Sequence, residues 1–494
     1  MSAQDASFLH IEDENNPMHI GSVVVIEGPP ASYGDIVRAV AAKLPRVPRY
    51  RQRVRFVPME LGRPVWTDDP HFQILYHVRQ TALPGPGGDE QLRNLAGRIF
   101  AQRLDRDKPL WELWVVEGLQ GGRWALISKV HHCMVDGKAA TDLLTVLMDR
   151  EADSAPPPEE AWNPNSEPSF VHLLADAMAD SVVEPVQHLR GLRVAARLSL
   201  PSFASVTDLA RQASAMLAAF TIPVAGSLNG PIGPHRRWGW ARGSLADVKT
   251  VRSALGGTVN DVVLAAITTG FRELLLSRGE AVEGKVVRTL VPVSMRAENE
   301  RGIYNNRVSG VFPGLPVGVP DPVERLNLIR EQMEGLKKSS QAIAGDRLTR
   351  LGGFAPPMLL AMGARLGVNF QQRTVQTVTT NVPGPQQPMY LVGRQLLEAY
   401  PYVPIGGSIR IGLAIFSYLD GINFGATADY DSTPDLDVLC RGIETGLAEL
   451  LAEAGRLRAS APEPKASNGH RPRRTSGAGE RARRAPRKRA PATP

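Results

Sequence analysis

Two apolar rhythms alternate along the first 150 residues. The runs H-I-G-S-V-V-V-I-E (residues 19–27) and W-A-L-I-S-K-V (124–130) are dense in β-branched and aliphatic side chains and predict buried strands. Between them, Y-G-D-I-V-R-A-V-A-A-K-L (33–44) spaces its apolar positions at helical intervals, with Ser32 and Asp35 in capping-box spacing at its start. F-Q-I-L-Y-H-V (72–78) and W-E-L-W-V-V-E (111–117) predict further strands, and T-D-L-L-T-V-L-M-D-R (141–150) a helix. A stretch rich in Pro and acid, A-P-P-P-E-E-A-W-N-P-N-S-E-P (155–168), reads as a linker. Helical periodicity fills residues 169–225, either as bridging helices or as a surface for lipid, with packing the favoured reading. The strand and helix pattern then restarts. Helices are predicted at 245–255, 259–276 and 436–453, and strands at 286–294, 374–382, 409–418 and 422–430. Two α/β halves of similar size result.

Composition agrees with two folded domains: hydrophobic residues are 43% and charged residues 22% of a 494-residue chain, too long for one ordinary core. No apolar leader follows Met1, and no run approaches the roughly 18 uncharged apolar residues of a spanning helix. The expectation is a cytoplasmic protein. Cys133 and Cys440 are the two cysteines, which excludes a disulfide framework and disfavours a cysteine-based zinc site. The net charge of +7 changes meaning once it is located. Residues 465–494 hold ten Lys or Arg and one acid, leaving 47 basic and 49 acidic residues elsewhere. That tail lacks large apolar side chains and is predicted to be disordered. It reads as a solvated appendage, a contact for nucleic acid, or one for an anionic lipid surface, the last worth roughly 1 kcal/mol per basic residue. The near-neutral remainder argues against nucleic acid as the main partner.

The candidate chemistry lies where the strand before residue 131 ends, in K-V-H-H-C-M-V-D-G-K-A-A (129–140). Adjacent strand residues point to opposite faces, so one of His131 and His132 should face a cleft and the other the interior. A neutral imidazole suits removal of a proton from an alcohol, a role worth about 10² to 10⁴ in rate. Asp136 either orients an imidazole or holds the turn by pairing with an arginine, and Gly137 leaves room at the start of the next helix. A metal site wants three protein ligands, and only one histidine plus Asp136 converge here. Cys133 as a nucleophile is disfavoured, because alternation turns it away from His132. A purely structural histidine pair is the remaining bland reading. Taken from His131, the string also fits H-x-x-x-x-D, a pattern of glycerolipid acyltransferases of another fold, but the context favours the double-histidine register.

H-H-C-M-V-D-G resembles the H-H-x-x-x-D-G motif of the CoA-dependent acyltransferase superfamily, which includes chloramphenicol acetyltransferase-like enzymes and condensation domains. More specifically the chain resembles the bacterial wax ester synthase/diacylglycerol acyltransferase family, through D-A-S-F-L-H-I-E-D-E-N-N-P-M-H-I-G (5–21), P-L-W-E-L-W (109–114), N-G-P-I-G (229–233), T-V-N-D-V-V-L-A (258–265), V-P-V-S-M-R (291–296) and N-V-P-G-P (381–385). The likeness covers residues 3–453. It implies an α/β (α+β) fold of two chloramphenicol acetyltransferase-like subdomains, each a mixed sheet flanked by helices, with the active site at their junction. The implied division is an N-terminal subdomain at 1–160, linker and bridging helices at 161–228, a C-terminal subdomain at 229–455 and the basic tail at 456–494.

The resemblance also implies roles. His132 is the general base and Asp136 is mainly structural. Pro109, Leu110 and Trp111 shape an acyl or acceptor channel, and core packing alone is an equal reading for Trp111. Asn260 and Asp261 match the family's N-D motif, although Thr258 and Asp261 also have capping-box spacing, so a capping role stands beside a supporting one. Arg296 is the candidate partner of Asp136. The implied reaction passes a fatty acyl group from acyl-CoA, a substrate rather than a cofactor, to diacylglycerol or a fatty alcohol, with no acyl-enzyme and no metal. Peripheral association with a membrane or lipid droplet is compatible with it. The rivals are acyl transfer to a specialised metabolite, a non-catalytic lipid-binding relative, and nucleic-acid tethering by the tail.

Overall fold

The structure is a computed structural model, and it describes residues 1–58, 62–134, 146–154, 161–169, 171–173, 175, 226–294, 308–338 and 375–460. Asp136, Gly137, Arg296, the basic tail, most of 169–225 and the first half of the helix expected at 141–150 lie outside them.

Helix α1 (Ala3–Ile11) precedes strand β1 (His19–Ile26) and helix α2 (Tyr33–Lys43), whose N-cap Ser32 accepts the Asp35 N–H as its spacing predicts. A small hairpin, β2 (Gln52–Arg55) and β3 (Val65–Asp68), leads into a single helical turn α3 (Ile74–His77), strand β4 (Val78–Ala82) and helix α4 (Asp89–Ala101). Strands β5 (Trp111–Glu117) and β6 (Trp124–His131) complete the first half. The second half holds β7 (Arg236–Ser244), helices α5 (Leu245–Leu255) and α6 (Val259–Ser277), strands β8 (Val287–Ser294), β9 (Val308–Val311) and β10 (Gly314–Leu315), and helix α7 (Pro322–Lys338). It continues through β11 (Thr377–Val382), β12 (Tyr390–Leu391), β13 (Arg394–Tyr402), β14 (Ile411–Tyr418) and β15 (Gly421–Asp429) to the closing helix α8 (Leu436–Ser460).

These elements build two mixed sheets. The first runs β12-β13-β1-β6-β5-β4, with β4 and β5 parallel and its other strand pairs antiparallel. The second runs β10-β8-β11-β14-β15-β7, with β9 paired to β8. Its core is made chiefly by α6, whose residues from Asp261 to Phe271 are all buried, packed against α8 and the sheet. A helix apolar on every side must be covered on every side, which is why α6 sits inside. With α5 it is apolar enough to pass for a broken membrane span, but the two helices bend by 102° into this core; no single helix among the described residues is long and apolar enough to cross a membrane.

The chain does not keep to its halves. Strands β12 and β13, from the C-terminal half, pair into the first sheet beside β1, so that Val23 faces Tyr400 in register. At the same crossing β15 approaches β13 so closely that a Cβ on Gly425 would stand 1.7 Å from the Pro401 carbonyl oxygen. The run 72–78, expected as a strand, is instead a helical turn over Ile74–His77 before β4 begins. Its apolar content packs sideways: His77 stacks between Phe72 and Trp111, with ring centroids 5.2 and 4.6 Å away.

Candidate active site

Strand β6 delivers the two histidines and then stops, because the next residues, His132–Met134, turn as a 3-10 helix. The backbone of this corner is held from both sides. The His131 N–H donates to the Leu110 carbonyl at 2.9 Å and the His132 N–H to the Met18 carbonyl at 2.8 Å. Pro109 and Leu110 are buried beside it, with Leu110 packed against Leu9 and Cys133. The Pro-Leu-Trp segment is thus a support of the histidine corner.

His131, the last residue of β6, and His132, the first of the 3-10 turn, send their side chains to different surroundings. His131 is fully buried, and its Nδ1 accepts the Cys133 N–H at 3.1 Å. That acceptance fixes the tautomer with the proton on Nε2, which faces Glu12 Oε1 at 3.6 Å. Burial, with Arg106 adding to it, lowers the His131 pKa to about 3, so it stays neutral. Glu12 lies in the same buried layer. Its carboxylate accepts from the Met18 N–H and from Arg106 through both Nε and Nη2, at 3.0 and 2.7 Å.

His132 is partly exposed, and its ring lies on Phe8 at 3.9 Å between centroids with 19° between planes. Its Nδ1 is buried with no hydrogen bond to another of the described residues. Burial lowers its pKa from the ordinary value, opposed by its own backbone carbonyl, so the ring is a neutral imidazole at pH 7. Cys133 beside it is no competitor: burial drives its thiol far up and removes the thiolate that a nucleophile needs.

Trp111 is a buried core residue. Its indole N–H donates to the Tyr50 carbonyl at 2.8 Å, Tyr50 meets its ring edge-on and His77 stacks on it. It also borders a small pocket lined by Leu44, Val47, Tyr50, Val130 and Leu147 together with Glu112 and Ser128. Packing and pocket-lining coexist at this residue.

At the start of α6 the capping box forms: the Asp261 N–H donates to Thr258 Oγ1 at 3.3 Å, and Asp261 Oδ2 accepts the Thr258 N–H at 2.8 Å. The other carboxylate oxygen, Oδ1, is buried and has no hydrogen-bond partner among the described residues. Asn260 Oδ1 accepts from Asn381 Nδ2 at 3.4 Å, tying the N-D pair to the N-V-P-G-P stretch. In that stretch Gly384 runs against the Ser417 carbonyl, which a Cβ would approach to 2.1 Å. Among the described residues no hydrogen bond or ion pair joins Asn260 or Asp261 to His132. Nor do three or more His, Cys, Asp or Glu side chains gather there to hold a metal ion. Phe8, Glu12, Arg106 and Asn381 are site residues that the sequence reading passed over. Phe8 and Glu12 stand inside the 5–21 stretch that carried the resemblance, and that was their only signal.

Two sheets meeting beside a strand that ends in a histidine pair is the arrangement of a CoA-dependent acyltransferase, and sequence comparison narrows the class. The model of the wax ester synthase/diacylglycerol acyltransferase catalytic domain matches residues 1–263, and that of the family's C-terminal domain matches residues 304–451. The chain belongs to this family. It is 39% identical over 458 residues to tgs1 of Mycobacterium tuberculosis, described as a diacylglycerol O-acyltransferase, covering 92% of this chain and 96% of that one. Among solved structures, the wax ester synthase/diacylglycerol acyltransferase of Marinobacter aquaeolei VT8 superposes with a TM-score of 0.64 at 27% identity, over 92% of this chain and 98% of that one. A trichothecene 15-O-acetyltransferase of Fusarium sporotrichioides shares the fold, with a TM-score of 0.58 at 12% identity over 92% and 94% of the two chains.

Proposed function

We infer that this acyl-CoA-dependent O-acyltransferase moves a long-chain fatty acyl group to the free hydroxyl of diacylglycerol, forming triacylglycerol, with fatty alcohols as a second acceptor class. Family membership over both halves supports the reaction class. The observation that carries the mechanism is His132: a partly exposed imidazole, kept neutral by burial, at the corner where β6 ends. Its buried Nδ1 turns toward the protein, leaving Nε2 to work as the base. His132 takes the hydroxyl proton as the acceptor oxygen bonds to the thioester carbonyl carbon. As the carbon–sulfur bond breaks, the imidazolium returns that proton to the CoA thiolate. Every proton is accounted for without an acyl-enzyme. Asp136, Gly137 and Arg296 keep the roles that the family resemblance gives them, and Asn260 with Asp261 is proposed to support the site from the N-terminus of α6. Diacylglycerol resides in bilayers and droplets, so the enzyme works at their surface as a peripheral protein.

Purified enzyme given labelled palmitoyl-CoA with diacylglycerol or hexadecanol tests this. Labelled triacylglycerol above wax ester is the expected product. A folded enzyme that esterifies neither acceptor overturns the assignment of substrates.

A further inference from the structure

Phe8 is partly exposed, yet it belongs to none of the apolar clusters of the core. Its ring face is committed to one neighbour, the imidazole of His132, at 3.9 Å and nearly parallel. The helix that carries it is fixed at both ends: Ser2 caps it, and Glu12, which closes it, is held by Arg106, whose Nη2 also donates to the Leu9 carbonyl. Leu9 packs on Leu110 and Cys133, beneath the same corner. Helix α1 therefore presents Phe8 to His132 from a rigid mount, and Met18, bonded to Glu12 through its N–H, accepts the His132 N–H.

We propose that Phe8 is a positioning residue for His132: its face sets the plane of the imidazole and favours the imidazolium that forms when the acceptor hydroxyl gives up its proton. An aromatic face is negative and attracts a cation laid over it, while a neutral ring gains far less. The contact thus strengthens as the reaction proceeds, which is the requirement for an interaction that speeds the chemical step. Among the described residues, the charged groups that act on neighbouring Cys133 are Asp5 on α1, Glu12 at its C-cap, Arg106, and Arg49, whose guanidinium lies over the Trp66 ring at 4.2 Å. Glu12 and Arg106 pair with each other, Ser2 hydrogen-bonds Asp5, and His131 is held neutral, so none of these mimics a loss of the aromatic face.

Phe8→Leu keeps the apolar cover and removes the π face; Phe8→Trp enlarges it. The test is an NMR titration of His132 in the full, ¹⁵N-histidine-labelled chain, its signal identified by loss in His132→Ala, beside the pH dependence of kcat/KM. In Phe8→Leu the pKa of His132 falls by about half a unit or more, and the acid limb of the rate profile moves to lower pH with it. The kcat falls several-fold while KM for acyl-CoA holds, and Phe8→Trp restores the wild-type titration or raises it. A folded Phe8→Leu that titrates as wild type, or a Phe8→Trp that titrates lower, overturns the proposal. It rests on His132 being the base. Wild-type turnover in His132→Ala would instead overturn that reading, since the titration reports the stack without turnover.

Discussion

At neutral pH burial keeps His19, His77 and His131 uncharged, with His77 lowered to about 4 and His131 to about 3. In the unfolded chain each titrates near 6.5. The unfolded state therefore binds more protons below that pH, and stability falls as pH drops from about 6.5 toward the folded values. Denaturant melts at pH 7 and pH 5 should differ by on the order of 1–2 kcal/mol per buried histidine. Equal stability at both pH values would contradict the neutral assignments. A histidine pair placed where a strand ends was legible in the sequence; the different surroundings of His131 and His132 come with the 3-10 turn that begins at His132, which a period-two rule does not describe. Phe8 and Glu12 were not, since helix α1 reaches the corner by a tertiary contact between segments more than a hundred residues apart. Charge balance and a double-histidine string hold no information about such a contact.

Among elements, those with strong local signals matched the structure. β1, β5, β6, α2, α5, α6, β14 and β15 lie where periodicity put them, each with an uninterrupted apolar pattern. β7 and β13 were missed: R-R-W-G-W-A-R-G-S mixes arginines with two glycines, and Pro401 breaks the strand signal of β13. Both are strands by virtue of their neighbours, β15 and β1. Of the two readings of Asp261 the structure shows the capping box, where the carboxylate holds the N-terminus of α6 and keeps one oxygen buried without a partner among the described residues. Thr258→Ala removes the hydroxyl from that box and should lower stability by about 1 kcal/mol, read as a shift in denaturation midpoint with unchanged slope. Wild-type stability in that variant would mean that the Thr258 hydroxyl adds nothing to the cap, which the Asp261 carboxylate would then hold through the backbone N–H of residue 258 alone.

For the whole molecule, the decisive feature is the crossing of β12 and β13 into the first sheet, which ties the two halves into one unit around the site. The linker composition at 155–168 and the restart of the pattern at 229 suggest separate halves, but strand exchange leaves no local mark and was not legible. Gly425→Ala would press a methyl against the Pro401 carbonyl at this crossing. Because both sides are backbone, neither yields cheaply, and the loss should exceed the roughly 1–3 kcal/mol of ordinary overpacking. Thermal melts check it; a variant as stable as wild type would mean that the sheets do not meet there. The central claim is an acyl transfer run by one histidine. The direct measurement is kcat for triacylglycerol formation from labelled palmitoyl-CoA and diacylglycerol, wild type against a folded His132→Ala. A fall of about 10² to 10⁴ is the predicted result, and turnover within a few-fold of wild type would contradict it.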